Sequence, residues 1–276
     1  MPPGIKNHSS EHSAALTIAG FDPSSGAGVM ADLKVFAAHR VYGLAAITAL
    51  TVQSTQGVRR SHAVNPGFLA ETLDCLAEDF AIAGVKIGML ATADIVGTVV
   101  RFLSGSGIPC ERVVLDPIVR SSSGRTLLDA GGLERLQSEL LPRVGWITPN
   151  LDELAELAGT DVSDRDSIVA AARGLTQSQP GLNIVVTGGH LDPPDDFLLT
   201  ADGTEHWFPG RKLETKATHG TGCTFSSALL AQLIAGSAPA DAVAGAKEYV
   251  RSAMEAAYPV GKGPGPLNHL YRLDQP

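Results

Sequence analysis

The sequence predicts an α/β protein: a mostly parallel sheet with helices on both faces. Three observations predict it. Short apolar runs recur at 14–18, 44–50, 85–87, 112–115, 146–148 and 183–186, separated by stretches of helical period. The runs are near-continuous in apolar residues, as strands buried on both faces are. Several intervening stretches carry helix start signals, giving the strand–helix alternation of a layered parallel fold.

Taken in order, the first run leads into 20–28, Gly-Phe-Asp-Pro-Ser-Ser-Gly-Ala-Gly, a loop of turn residues that opens a helix containing Asp32. Residues 52–64 are polar and break the alternation. Asn65-Pro66 supplies a cap and a proline at the first helical position for a helix over 68–80. Thr92 caps a helix over 94–103. Ser163-Asp164-Arg165-Asp166 resembles a capping box before a helix over 168–177. Residues 196–208 read as two short strands around Asp202-Gly203, a hairpin signal. Two alanine-rich helices, 221–235 and 238–257, precede Gly261-Lys262-Gly263-Pro264-Gly265-Pro266. No repeat or linker divides the chain, so one domain is expected over 14–276. A polar head, 1–13, is expected to be disordered.

Composition excludes several classes. At 276 residues and 44% hydrophobic, the chain can bury a large core and is not disordered. The net charge of −8 and the lack of a basic stripe argue against nucleic acid as a partner. Cys75, Cys110 and Cys223 are odd in number, far apart and without CxxC spacing. That disfavours a disulfide scaffold or structural zinc and fits a reducing, cytoplasmic location. No apolar run reaches about 18 residues, so no membrane span is expected. The head lacks the apolar stretch of a secretory signal.

In open parallel sheets, ligands bind beyond the carboxyl ends of the strands. The segments there are 20–28, 88–90, 116–124, 149–153 and 187–190, rich in Gly, Pro and polar residues. The strongest local signal is His219-Gly220-Thr221-Gly222-Cys223-Thr224, running straight into an apolar helix. Unpaired N–H groups at a helix start, approached through glycine, suit phosphate oxygens or a transferring phosphoryl group. The same pattern also serves tight packing of a helix start. No GxxxxGK[ST] occurs, and no GxGxxG follows the first strand, which lowers the odds of P-loop NTPases and nicotinamide dehydrogenases. Asp116, Asn150 and Glu153 lie just past two strands. They read either as oxygen ligands around magnesium and phosphates or as a cap with its first-turn partner. Gln53, after the second strand, can both donate to and accept from a heterocycle; alone it reads equally as a loop residue.

In their order, the runs ALTIAGFDPSSGAGVMADLKVF, ITALTVQSTQGV, KIGML, VVLDPIVRSSSGRTLL, ITPNLDELAEL, VVTGGHL, HGTGCTFSSALL and GKGPGPLNH resemble the hydroxymethylpyrimidine/phosphomethylpyrimidine kinases of thiamin biosynthesis, within the ribokinase-like superfamily. The resemblance covers nearly the whole chain; the opening loop with its downstream Asp32, Gln53 after the second strand, and GTGC in place of GxGD together separate it from sugar kinases. It implies a ribokinase-like three-layer α/β/α fold. It also implies transfer of the ATP γ-phosphate, with Mg2+, to 4-amino-5-hydroxymethyl-2-methylpyrimidine and then to its monophosphate. By position, Gly20, Asp32, Gln53, Met89 and Ile118 would line the pyrimidine pocket, Asp32 and Gln53 making the polar contacts. Asp116 and Glu153 would hold the metal, and Asn150, Thr187 and Lys247 would serve ATP. Gly220, Thr221 and Gly222 would form the anion hole, with Cys223 at the catalytic position. Residues 121–124 would be a mobile cover, and the state a homodimer.

A helix N-terminus would lower the Cys223 thiol, while ATP phosphates would raise it. A base role predicts that Cys223→Ala harms the first transfer more than the second. One departure stands out. Many relatives carry Lys where this chain has Thr187; Lys216, Lys86 and Lys262 are candidate replacement cations, and Thr187→Lys is expected to lower the KM for ATP. Two further readings are a pyridoxal or dual-specificity kinase and a non-catalytic pyrimidine-binding regulatory module.

Overall fold

The computed structural model describes residues 12–121, 124–189 and 191–274. The expected disordered head therefore lies outside the described residues except for His12 and Ser13. Ser122 and Ser123 of the expected cover, and His190, also lie outside.

The strands are β1 (Ala14–Phe21), β2 (Tyr42–Ser54), β3 (Gly57–Ala63), β4 (Ile82–Ile87), β5 (Val113–Leu115), β6 (Trp146–Ile147), β7 (Asn183–Val186), β8 (Asp196–Leu199) and β9 (Glu205–Phe208). They form one sheet in the order β3-β2-β1-β4-β5-β6-β7-β8-β9. From β2 through β7 the neighbours run parallel, while β3, β8 and β9 are antiparallel additions at the two edges.

The helices are α1 (Gly28–Ala38), α2 (Pro66–Asp79), α3 (Ala93–Ser106), α4 (Ala130–Arg135), α5 (Leu151–Ala158), α6 (Arg165–Ser178), α7 (Thr221–Ile234) and α8 (Pro239–Glu255). The start signals act as read. Asn65 accepts from Gly67 N and Phe68 N, and Thr92 from Ile95 N. The α6 capping box centres on Asp164, reciprocated by Ser167. Both faces of the sheet are covered. Leu16 and Ile18 of β1 join the core under α2–α6, while Ala15 joins the core under α1, α7 and α8. Each such fully buried Leu or Ile stabilises by about 1.5–3 kcal/mol relative to exposure.

Two segments differ from the sequence reading. Residues 52–64, read as a polar interruption, are the end of β2 folding back as β3. One face of this edge hairpin meets water, so an alternating polar pattern replaces the apolar run of a central strand. The α4 turn was not anticipated because its sequence, AGGLER, places two glycines inside a single short helix; Asp129 caps it at Gly132 N, 2.6 Å.

The parallel arrangement brings the carboxyl ends of six strands to one edge of the sheet. Backbone bonds lace the exits together: Gly88 N to Ile18 O at 2.9 Å, Asp116 N to Ile87 O at 2.8 Å, Thr148 N to Leu115 O at 3.0 Å and Thr187 N to Pro149 O at 2.9 Å. No helix among the described residues is long and apolar enough to cross a membrane.

Candidate active site

α7 begins beside these exits. Gly220 caps it with φ 84°, the left-handed region. A Cβ at residue 220 would also lie 1.9 Å from Gly26 O, so only glycine fits. The backbone N–H groups of Thr221, Gly222 and Cys223 have no hydrogen-bond partner among the described residues. Gly222 is exposed. An open helix start with free donors and the positive end of the dipole is chemically an anion site.

Asp116 stands against this start, its Oδ2 3.6 Å from where a Gly222 Cβ would be. Asp116 is buried, and among the described residues its carboxylate accepts only a long bond from Ser226 Oγ, 3.4 Å. Burial pushes its carboxyl upward against the pull of Lys86, with Asp32 adding to the rise. Glu153 is also raised, by burial first and then by the negative charge of Asp116.

Deeper, between the sheet and α1 and α7, Lys86 Nζ meets both Asp32 oxygens at 3.0 and 3.1 Å. Thr17 Oγ1 donates to Asp32 Oδ2 at 2.6 Å and Ser227 Oγ to Oδ1 at 2.8 Å. Those bonds fill the acceptor positions a carboxylate offers. The expectation that Asp32 contacts the pyrimidine is therefore corrected: it is wholly buried and saturated, a strut beneath the site. Lys86 loses solvation, which opposes its charge, yet Asp32 holds it protonated above the ordinary lysine range. It is not free to stand in for the lysine absent at Thr187; Lys216 and Lys262 are exposed.

Cys223 is buried, and Gly28 N–H bonds to its sulfur. Burial pushes the thiol up to about 12; Lys86 pulls it down, and Asp32 and Asp116 push it further up. Of the opposing influences expected on this thiol, the raising ones prevail: desolvation and the two carboxylates outweigh the pull of the helix start.

On the other side of α7 are the loop residues. A Cβ on Gly20 would lie 2.9 Å from Met89 Sδ, and Ile118 Cδ1 lies 3.8 Å from a Cβ at Gly88. Gly20, Met89 and Ile118 thus gather at neighbouring strand exits. The Gln53 carboxamide lies between Thr51 Oγ1, 3.1 Å, and His219 Nε2, 3.2 Å. Asp22 gathers the loop: Ser24 N, Ser24 Oγ, Gly26 N and Ala27 N all donate to it, and His219 Nε2 lies 2.7 Å from its Oδ2.

Beyond β6, Asn150 and Glu153 form a capping box: Glu153 N donates to Asn150 Oδ1 at 2.9 Å, and Asn150 N to Glu153 Oε2 at 3.0 Å. The cap is thus the role the geometry gives Asn150, while Glu153 keeps its second oxygen. Thr187 pairs with Asn150 as an isolated parallel bridge. Lys247, expected beside the nucleotide, pairs with Asp196 Oδ2 at 2.8 Å. Asp196 Oδ1 accepts from Gly188 N, 2.8 Å, so Lys247 braces the loop after β7. Among the described residues no cluster of three or more His, Cys, Asp or Glu is arranged for a metal ion. Asp116 with Glu153 still fits Mg2+. Two desolvated carboxylates that disfavour each other's charge, each with an oxygen to spare, match an ion that takes one or two protein carboxylates and completes its shell with water and phosphate.

Sequence reasoning missed Asp22, His219, Ser226 and Ser227 as individual contributors, and saw Lys86 only as a spare cation. A lysine inside the apolar run 85–87 was the available signal, since a buried ammonium demands a partner.

Comparison with known proteins bears on this geometry. The chain is 38% identical over 263 residues to a hydroxymethylpyrimidine/phosphomethylpyrimidine kinase of Staphylococcus aureus, covering 94% of each chain. Its fold is similar to a pyridoxal kinase of Bacillus subtilis solved with ADP, at TM-score 0.84 and 29% identity over 95% of this chain and 99% of that one. It is also similar to a phosphomethylpyrimidine kinase of Clostridium difficile, at TM-score 0.77 and 33% identity over 87% and 99%. The family model described as phosphomethylpyrimidine kinase matches residues 22–268, from Asp22 of the first loop to beyond α8. With the match spanning every segment that meets at the start of α7, the chain belongs to the phosphomethylpyrimidine kinase family.

Proposed function

We propose that the protein transfers the γ-phosphoryl group of ATP to 4-amino-5-hydroxymethyl-2-methylpyrimidine and then to its monophosphate, giving the diphosphate used in thiamin biosynthesis. One observation carries the reading: the N–H groups of Thr221, Gly222 and Cys223, unpartnered among the described residues, stand next to Asp116 where Gly220 passes against Gly26 of the loop after β1. In the mechanism, those amides hold the oxygens of the migrating phosphoryl group. Their fixed dipoles act where charge accumulates in the transition state. Asp116 and Glu153 would hold Mg2+, which when bound neutralises phosphate charge. Met89 and Ile118 supply apolar walls for the ring, and Gln53 supplies its polar edge.

Cys223 enters as a neutral thiol rather than a ready base. Phosphoryl transfer passes through a loose transition state in which positioning and charge stabilisation dominate, so a protonated thiol is compatible with turnover. In the second transfer the acceptor is already an anionic oxygen.

Pyridoxal is the second substrate reading, favoured by the likeness to pyridoxal kinases. Mass spectrometry of products after incubation with magnesium-ATP and the alcohol, its monophosphate or pyridoxal tests both. Conversion of the first two to the diphosphate is expected. Phosphorylation of pyridoxal alone would overturn the pyrimidine reading, and pyrimidine binding with no turnover would make the protein a regulatory module.

A further inference from the structure

Four distant segments meet at one imidazole. The ring of His219 fills the space where a Cβ on residue 26 would be, with Cδ2 2.3 Å from that position. Its backbone N donates to Gly265 O at 3.2 Å. Its Nε2 lies 2.7 Å from Asp22 Oδ2 and 3.2 Å from the Gln53 carboxamide. Both side chains are largely buried, at 17% and 4% exposure for His219 and Asp22.

The donors can be counted out. Asp22 is a carboxylate that already gathers N–H and O–H donors, so His219 Nε2 faces it with a proton. A nitrogen donating to Asp22 cannot accept from an amide. Thr51 has one hydroxyl proton, and Phe21 O, 2.9 Å away, takes it. The contacts agree when the Gln53 oxygen faces the ring, sharing the Nε2–H as the longer arm of a three-centre bond, and its NH2 faces Thr51. One Nε2–H therefore anchors Asp22 and sets which end of Gln53 points where.

We infer that His219 is a positioning residue for phosphoryl transfer: its Nε2–H locks the start of α7 onto the Asp22 loop and fixes the polarity of Gln53. The inference rests on the kinase reading above. Residue 219 immediately precedes the glycine cap, so a loosened ring lets the free amides of 221–223 drift relative to the acceptor. A drift of an ångström at such donors is costly in rate.

The test compares wild type with His219→Phe, His219→Gln, Asp22→Asn and the Phe/Asn double variant, each checked by thermal unfolding. His219→Phe should lower kcat by about 100-fold, and His219→Gln, whose amide N–H reaches the place of Nε2–H, should stay within about 5-fold of wild type. The double variant should be no slower than the slower single one, because both remove the same bond. In the wild-type protein, nitrogen-15 spectra of the ring should show a proton on Nε2. Full activity in folded His219→Phe, a folded His219→Gln as slow as His219→Phe, additive losses, or a bare Nε2 would each overturn the proposal. A wild-type protein inert toward the pyrimidine alcohol with a protonated Nε2 would instead overturn the kinase reading, and the positioning role with it.

Discussion

Asp32 and Asp116 are both withdrawn from water, at 0% and 3% exposure, yet their surroundings are opposite. Asp32 has a lysine and two hydroxyls filling its oxygens. Asp116 has one long hydroxyl contact and a raised carboxyl. A buried acid that is saturated has no capacity left for a ligand and serves the fold. A buried acid left short of partners is kept at a cost that only a ligand or a reaction can offset.

The sharpest way to break this contrast is Asp116→Asn. It should reduce kcat by about 100- to 1000-fold, because it removes charge next to the transferring group. Its melting temperature at pH 7 should hold or rise, since an upshifted buried carboxylate weakens the fold when ionised. Loss of stability alongside activity would place Asp116 with Asp32.

Lys86→Met is the converse. Removing one partner of a buried pair should cost about 3–5 kcal/mol in denaturant unfolding, and adding Asp32→Leu should recover much of it. A mild loss for Lys86→Met would mean the pair is not the strut its bonds suggest.

Cys223→Ala sharpens the chemistry. With the thiol pushed up to about 12, the loss should be about tenfold or less in the first transfer and smaller in the second. Single-turnover rates with the alcohol and with the monophosphate separate the two. A large loss confined to the alcohol, with a wild-type rate that climbs through alkaline pH, would restore a thiolate base.

Asp22 gives the smallest effect on stability, and its sign can be worked out. Burial raises its carboxyl, but the bonds from His219 and Ser24 together hold it below the ordinary value of 3.8. A lowered folded pKa adds stability that is present above the unfolded value and lost as pH falls through the folded one. Wild type should thus shed this increment only below pH about 4, and Asp22→Asn should flatten that acid limb in pH-dependent unfolding. An unchanged acid limb would remove Asp22 from the hub.

The strands of the central sheet were legible because burial on both faces leaves apolar runs in sequence. So were the caps at Asn65 and Thr92, which act within one helical turn. The loop-to-helix motif at Gly220 was legible for the same local reason. The β2–β3 hairpin was not, since an edge strand lacks that run. Nor was the fate of Asp32, whose partners Lys86 and Ser227 come from β4 and α7. Chemistry that depends on who stands opposite whom is set by topology, and a linear pattern carries no trace of it. His219 illustrates this: its neighbours in sequence mark a helix start, while its partner Asp22 lies near the other end of the chain.

The close passage of residue 220 over Gly26 has a consequence for how the molecule is made. The loop emerging early from the ribosome has no lid of its own: its floor, its imidazole wedge and the hydroxyl that completes the buried ion pair all arrive with α7. A nascent chain that stops short of that helix exposes the apolar side of β1 and β4 and holds no competent pocket. Premature termination should therefore yield fragments fit for proteolysis rather than half-active enzyme.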